Sequence, residues 1–95
     1  MNRVYCIGTL IGEPFISNKE GKKPFCRFNI VLDGNQTAEI KCYDDQAQDC
    51  AKYLSENRKV FVEGRVYPGS YIKDQQVYPK LVVKADYIEF LLKKA

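Results

Sequence analysis

The sequence predicts an all-β domain, five strands closed into a small barrel with one short helix between the third and fourth. Three observations predict it. Residues of β-branched and aromatic type gather into five runs separated by turn signals, the spacing of a small barrel or sandwich. The second and third runs alternate apolar and polar residues with a period of two. Between the third and fourth runs the period changes once, to that of a helix. A chain of 95 residues has room for one domain, residues 1–95, with one modest core.

The first run is Asn2 to Ile11, interrupted by Gly8, and Gly12 follows it. Glycines inside strands mark bends or bulges. Glu13 to Pro24 reads as a loop, punctuated by Pro14, Gly21 and Pro24. In the second run, Phe25 to Leu32, the apolar face is Cys26, Phe28, Ile30 and Leu32. Asp33-Gly34-Asn35-Gln36 is a short hairpin signal. The third run, Thr37 to Tyr43, places Ala38, Ile40 and Cys42 on one face and Thr37, Glu39, Lys41 and Tyr43 on the other.

Ala47, Cys50, Ala51 and Leu54 then recur at i, i+3, i+4 and i+7, one helical stripe. Asp45 is the expected N-cap, with Gln48 completing a capping box, and Asn57 the expected stop. Asp44, Asp45 and Asp49 suit the positive end of the helix dipole. The fourth run is Lys59 to Tyr67, with Val60, Val62, Gly64 and Val66 inward; Pro68-Gly69 is an expected bend. Lys73 to Gln76 is a polar turn. The last run, Val77 to Leu92, changes parity between Ala85 and Ile88, as one bulge would produce. Three strands, a helix and two strands is the order of a five-stranded OB-fold Greek-key barrel.

Composition excludes most chemistry. The chain has no histidine and no tryptophan. Without histidine no serine or cysteine triad is available, and no glycine-rich loop cradles a phosphate, so an enzyme is not expected. Cys6, Cys26, Cys42 and Cys50 lack the spacing of a zinc knuckle. All four fall where an apolar residue is due, so reduced core cysteines are expected, with no metal and no cofactor. No apolar run approaches the ~18 residues of a membrane helix, and the start lacks a secretory pattern. A cytoplasmic protein without a membrane partner is the expectation. Net charge is +3, and three of the 12 acidic residues cluster at Asp44, Asp45 and Asp49. The rest of the chain is thus distinctly basic, which suits a polyanion.

The outward faces carry aromatics among bases. Thr37, Glu39, Lys41 and Tyr43 face out on the third strand, Phe61, Glu63, Arg65 and Tyr67 on the fourth, with Arg27 and Asn29 on the second. Tyr71 and Tyr78 flank the last turn beside Lys73 and Lys80. Such faces fit a single strand of nucleic acid: rings stack on unpaired bases, and cations neutralise phosphates. Stacking tolerates any sequence, so nonspecific binding is favoured over base readout. The expected stackers are Tyr43, Tyr71, Tyr67 and Tyr78; the expected phosphate contacts are Arg3, Arg27, Lys41, Arg65, Lys73 and Lys80. Phe15, Phe25 and Phe28 are expected as core or loop anchors, Tyr5 as an interface residue, and Phe61 as cover for the helix or part of a subunit contact.

The sequence resembles the bacterial single-stranded DNA-binding protein family. MNRVYCIGTLIGEP is similar to that family's first strand, CRFNIVL to its second, IKCYDDQAQDCAKYL with RKVFVEGRVYPGSY to its strand, helix and strand, and VKADYIEFL to its last. The resemblance implies single-stranded DNA binding in replication, recombination or repair, and a homodimer or homotetramer assembled through the first strand. It sets Tyr43 at an aromatic stacking position, Tyr71 at a tryptophan position and Arg3 at a basic one. Thr37 stands where the family has a tryptophan, and Asp33 to Gln36 replaces a longer hairpin. The family's acidic, partner-recruiting tail has no counterpart through Lys93-Lys94-Ala95. Replication proteins are possible partners, and the alternative is an accessory primosomal-type OB module that mainly binds a protein partner. RNA is a third, weaker possibility, since stacking alone does not distinguish the sugars.

Overall fold

The computed structural model describes residues 1–91; Leu92 and the Lys93-Lys94 pair lie outside the described residues. The elements are β1 (Val4–Ser17), β2 (Phe25–Val31), a 3-10 turn (Asp33–Asn35), β3 (Thr37–Tyr43), α1 (Asp44–Tyr53), β4 (Lys59–Lys73) and β5 (Gln76–Phe90). The strands close in the order β1-β2-β3-β5-β4, and β4 returns to β1. Among the described residues only β3 and β5 run parallel, and their pairing closes the barrel body, so its strands are paired on both sides.

Alternation explains the core. Cys26, Phe28 and Ile30 from β2 meet Ala38, Ile40 and Cys42 from β3, Val60 and Val62 from β4, Val83 and Ala85 from β5, and Leu10 from β1. Complete burial of one Leu, Ile or Val is worth about 1.5–3 kcal/mol, so this interior needs no crosslink, and the four cysteines are free thiols. α1 covers the cluster with Ala47 and Cys50, and Leu54 follows as its C-cap. The expected parity change in β5 is present. Glu63 pairs with Tyr87 and Gly64 with Ala85, so Asp86 is the extra residue of a bulge.

Several local expectations differ. β1 does not end at Ile11: the chain bulges through Gly12 (φ 68°) and resumes pairing at Phe15, opposite Arg27, so Glu13 to Ser17 is strand rather than loop. Phe15 is therefore an outward residue, 50% exposed, and not an anchor. Phe28 is in the core, as expected, and Phe25 is half-buried. The Asp33–Gln36 segment makes a 3-10 turn, not a two-residue hairpin, closed by the Leu32 N–H donating to the Gln36 carbonyl at 2.7 Å. Asp45 is not the N-cap. Asp44, at φ 60°, turns the chain directly from strand into helix; the cap position is Tyr43, whose side chain makes no capping bond. The helix ends at Tyr53, before Asn57, and Ala51 is exposed. Pro68-Gly69 does not break β4, which runs through to Lys73; Pro68 pairs with Leu81 and Gly69 with Lys80. Glu39 points outward but is 7% exposed, covered by the ammonium of Lys80.

Candidate nucleic-acid interface

Register, more than strand identity, builds the site. Arg27 of β2 pairs with Lys41 of β3, Lys41 with Lys84 of β5, and Lys84 with Arg65 of β4. Four consecutive strands thus present one row of four cations on the outer wall. Like charges placed directly opposite one another destabilise a sheet. Arg65 is partly offset by Asp86 at 3.2 Å. Arg27, Lys41 and Lys84 form no ion pair among the described residues.

Aromatic rings border this row. On one side Phe25 pairs with Tyr43, their rings 5.2 Å apart, and the Lys84 ammonium lies 5.1 Å over the Tyr43 ring. On the other side Tyr67 pairs with Val82, next to Lys84 along β5. Between the two tyrosines runs a cleft of about 470 Å³, lined by Lys41, Tyr43, Tyr67, Gly69, Lys80 and Lys84 among others. Gly69 and Val82 keep its floor low. A second cleft, also about 470 Å³, shares Tyr43 and Lys84 and adds Lys23 and the aspartates Asp44, Asp45 and Asp86.

Beyond the cleft β4 and β5 extend as a two-stranded arm. Every residue from Tyr71 to Lys80 is exposed, and Asp74 and Gln75, with φ of 52° and 65°, form the tip. Positive φ at both central residues matches the right-handed twist of the arm. Tyr71 and Tyr78 pair across it and stack at 5.4 Å and 21°. They are one double platform rather than the two separate ones the sequence suggests.

The structure treats the expected residues unequally. Tyr43, Tyr67, Lys41 and Lys80 meet in one cleft. Tyr43, Tyr67, Tyr71 and Tyr78 are 39%, 40%, 47% and 37% exposed, enough for ring faces to be reached. Arg27 stands at the β2 end of the row with its guanidinium 4.7 Å over Phe15. Lys73 is exposed on the arm, away from the cleft. Lys80 is engaged by Glu39. Arg3 precedes Val4, which pairs with Gly64, and so lies at the β4 end of the row; it bonds Glu63 at 2.6 Å. The hydrogen bonds to Glu63 and Asp86 raise the pKa of Arg3 and Arg65, and both remain cations.

The structure adds Lys84 to the row, and it brings Phe15 against Arg27, beyond the residues that the sequence singles out. Lys84 was within reach of the sequence, because Leu81, Val83 and Ala85 inward leave Lys84 outward. Its place opposite Lys41 depends on the parallel register.

A closed five-stranded OB barrel with a cationic row between aromatic platforms has the makings of a single-strand binder. Residues 1–91 match the Single-strand binding protein family, and the chain belongs to it. Single-stranded DNA is accordingly its ligand, and it is not an enzyme. A single-stranded DNA-binding protein of Aquifex aeolicus is 26% identical over 103 residues, spanning 96% of this chain and 70% of its own length. One from Onion yellows phytoplasma is 30% identical over 81 residues, 79% of this chain and 78% of that protein. The crystal structure of a small single-stranded DNA-binding protein from Streptomyces coelicolor has the same fold, with a TM-score of 0.83 over 95% of this chain and 94% of that one at 16% identity.

Proposed function

We propose that single-stranded DNA crosses the outer wall of β2, β3, β5 and β4 without regard to base sequence. Phosphates follow the row Arg27–Lys41–Lys84–Arg65, and bases rest on Tyr43, Tyr67 and the Tyr71–Tyr78 pair. The row itself carries this reading: cations stacked strand to strand are unfavourable in the free barrel and become favourable beside a polyanion. Arg3, Lys73 and Lys80 are peripheral contacts; Lys80 must first exchange Glu39 for a phosphate. The protein serves replication, recombination or repair, wherever single strands are exposed.

Stacking is tested with the double variant Tyr43→Ala, Tyr71→Ala. A base–aromatic stack is worth about 1–3 kcal/mol, so each loss weakens oligo-dT binding by about 5- to 150-fold. Tyrosine fluorescence quenching reads the titration. Affinity equal to wild type rejects the assignment. Titrating oligo-dT, oligo-rU and duplex DNA in parallel separates sugar and strand preference. Binding to oligo-dT no tighter than to duplex would favour the accessory-module alternative.

A second copy of the chain covers the opposite wall. There Tyr5, Ile7, Phe61 and Tyr87 form an outward apolar patch across β1, β4 and β5, with Phe61 stacked against Tyr5 at 6.3 Å and edge-on to Tyr87 at 6.4 Å. Ile7 is 50% and Tyr5 60% exposed in the isolated chain. The assembly is a homodimer or homotetramer. Ile7→Glu is expected to shift it to monomer in sedimentation velocity while the fold persists; an unchanged sedimentation coefficient places the contact elsewhere.

A further inference from the structure

Beneath the cationic row, on the inner side of the same strands, lies a cluster that DNA binding does not use. Cys26, Cys42 and Cys50 come from β2, β3 and α1, and none has solvent exposure. Cys26 and Cys42 are direct cross-strand partners. The Cys42 and Cys50 sulfurs are 3.5 Å apart, and all three sulfurs lie within 4.8 Å of one another. We propose that these three thiols form a binding site for one Cu(I) ion in a trigonal set of thiolates.

Geometry and ligand chemistry carry the assignment. A trigonal site with ~2.3 Å metal–thiolate bonds holds its sulfurs about 4.0 Å apart, so shifts of less than about 1 Å complete it: the 3.5 Å Cys42–Cys50 pair opens and the longer edges, none above 4.8 Å, close. Thiolate sulfur selects soft ions. Zinc requires a fourth ligand; the chain has no histidine, and Cys6 is not in the cluster. Cu(I) is satisfied by three sulfurs in a plane. Binding forms three Cu–S bonds and breaks three S–H bonds. The protons leave to solvent, and no oxidation state changes. Two negative charges then remain in the barrel wall. Arg27 and Lys41, each adjacent in sequence to one of the paired cysteines, oppose that charge from the outer face. Entry runs under α1, which has no side-chain N-cap and is anchored through Ala47 and Cys50, a segment suited to local opening.

The test loads fully reduced, folded protein with Cu(I) under anaerobic conditions and competes it with a Cu(I) chelator. One ion per chain is expected, with X-ray absorption showing three sulfurs at ~2.3 Å. Cys26→Ala, Cys42→Ala and Cys50→Ala each weaken retention by more than about 100-fold, beyond what loss of an outer-shell partner costs, and Cys6→Ala leaves it unchanged. Oligo-dT binding certifies that each variant is folded, and the sulfur count on wild-type protein stands even where a variant is not. Failure of the folded chain to hold Cu(I), a count of two sulfurs, retention that follows Cys6, or loss of oligo-dT binding in step with loading would each overturn the proposal.

Discussion

Replacing Arg27, Lys41 and Lys84 together by alanine is expected to flatten the salt dependence of oligo-dT binding by about two units of log–log slope. Each phosphate neutralised on a single strand contributes a slope of about −0.7, and three are removed. Between 0.05 and 0.2 M salt, the fall in affinity should therefore be about 16-fold less than in wild type. Stability should move the other way. The three residues sit side by side across β2, β3 and β5, and Lys84 also faces Arg65. Removing a like-charge pair directly across a ladder relieves roughly 0.2–1 kcal/mol, so the melting temperature should hold or rise. This opposition separates a binding defect from a folding defect. Lys59→Ala is the control: that residue pairs with Thr9 on the far side of the barrel and should leave the slope as it is. A triple variant with the wild-type slope would show that phosphates do not follow this row.

The parts of this site that the sequence displays are those set by local periodicity. Alternation alone puts Lys41 and Tyr43 on one face, and the parity change after Ala85 reveals the bulge at Asp86. What periodicity lacks is register between distant strands. Lys41 and Lys84 are neighbours only because β3 and β5 pair in parallel, and no turn joins those strands to fix the offset. The same gap hides the Tyr71–Tyr78 stack, since Pro68-Gly69 suggests a break where the β5 ladder instead carries β4 onward. Phe15 is misjudged for a related reason: pairing with β2 extends β1 across a bulge that local turn signals present as a loop. At the start of α1 a backbone conformation replaces a side-chain cap. The left-handed Asp44 makes the corner, and composition does not reveal it.

The largest stability effect is expected from a single methyl group. In Gly64→Ala, an ideal Cβ would stand 2.2 Å from the Lys84 carbonyl oxygen, 2.9 Å from its carbon and 3.0 Å from the Ala85 Cα. All three are backbone atoms, so no rotamer change relieves the clash. β4 and β5 must separate at the bulge, which breaks ladder hydrogen bonds worth about 1 kcal/mol each and adds overpacking of about 1–3 kcal/mol. A loss of about 3 kcal/mol or more would remove a large part of a typical 5–15 kcal/mol. With a urea slope of roughly 1–3 kcal/mol/M, the midpoint should drop by at least about 1 M. Gly69→Ala provides the contrast. Its nearest neighbour is a Val82 methyl, a side-chain rather than a backbone atom, so relief takes a rotamer change at that β-branched side chain without separating the strands, and its midpoint should fall less. Gly64 also holds Lys84 in register with Arg65 and Lys41, so the surviving folded fraction of Gly64→Ala should bind oligo-dT more weakly, whereas Gly69→Ala alters only the cleft floor. A Gly64→Ala variant with the wild-type midpoint would mean that β4 and β5 do not approach at this bulge, and the cationic row would lose its fourth strand.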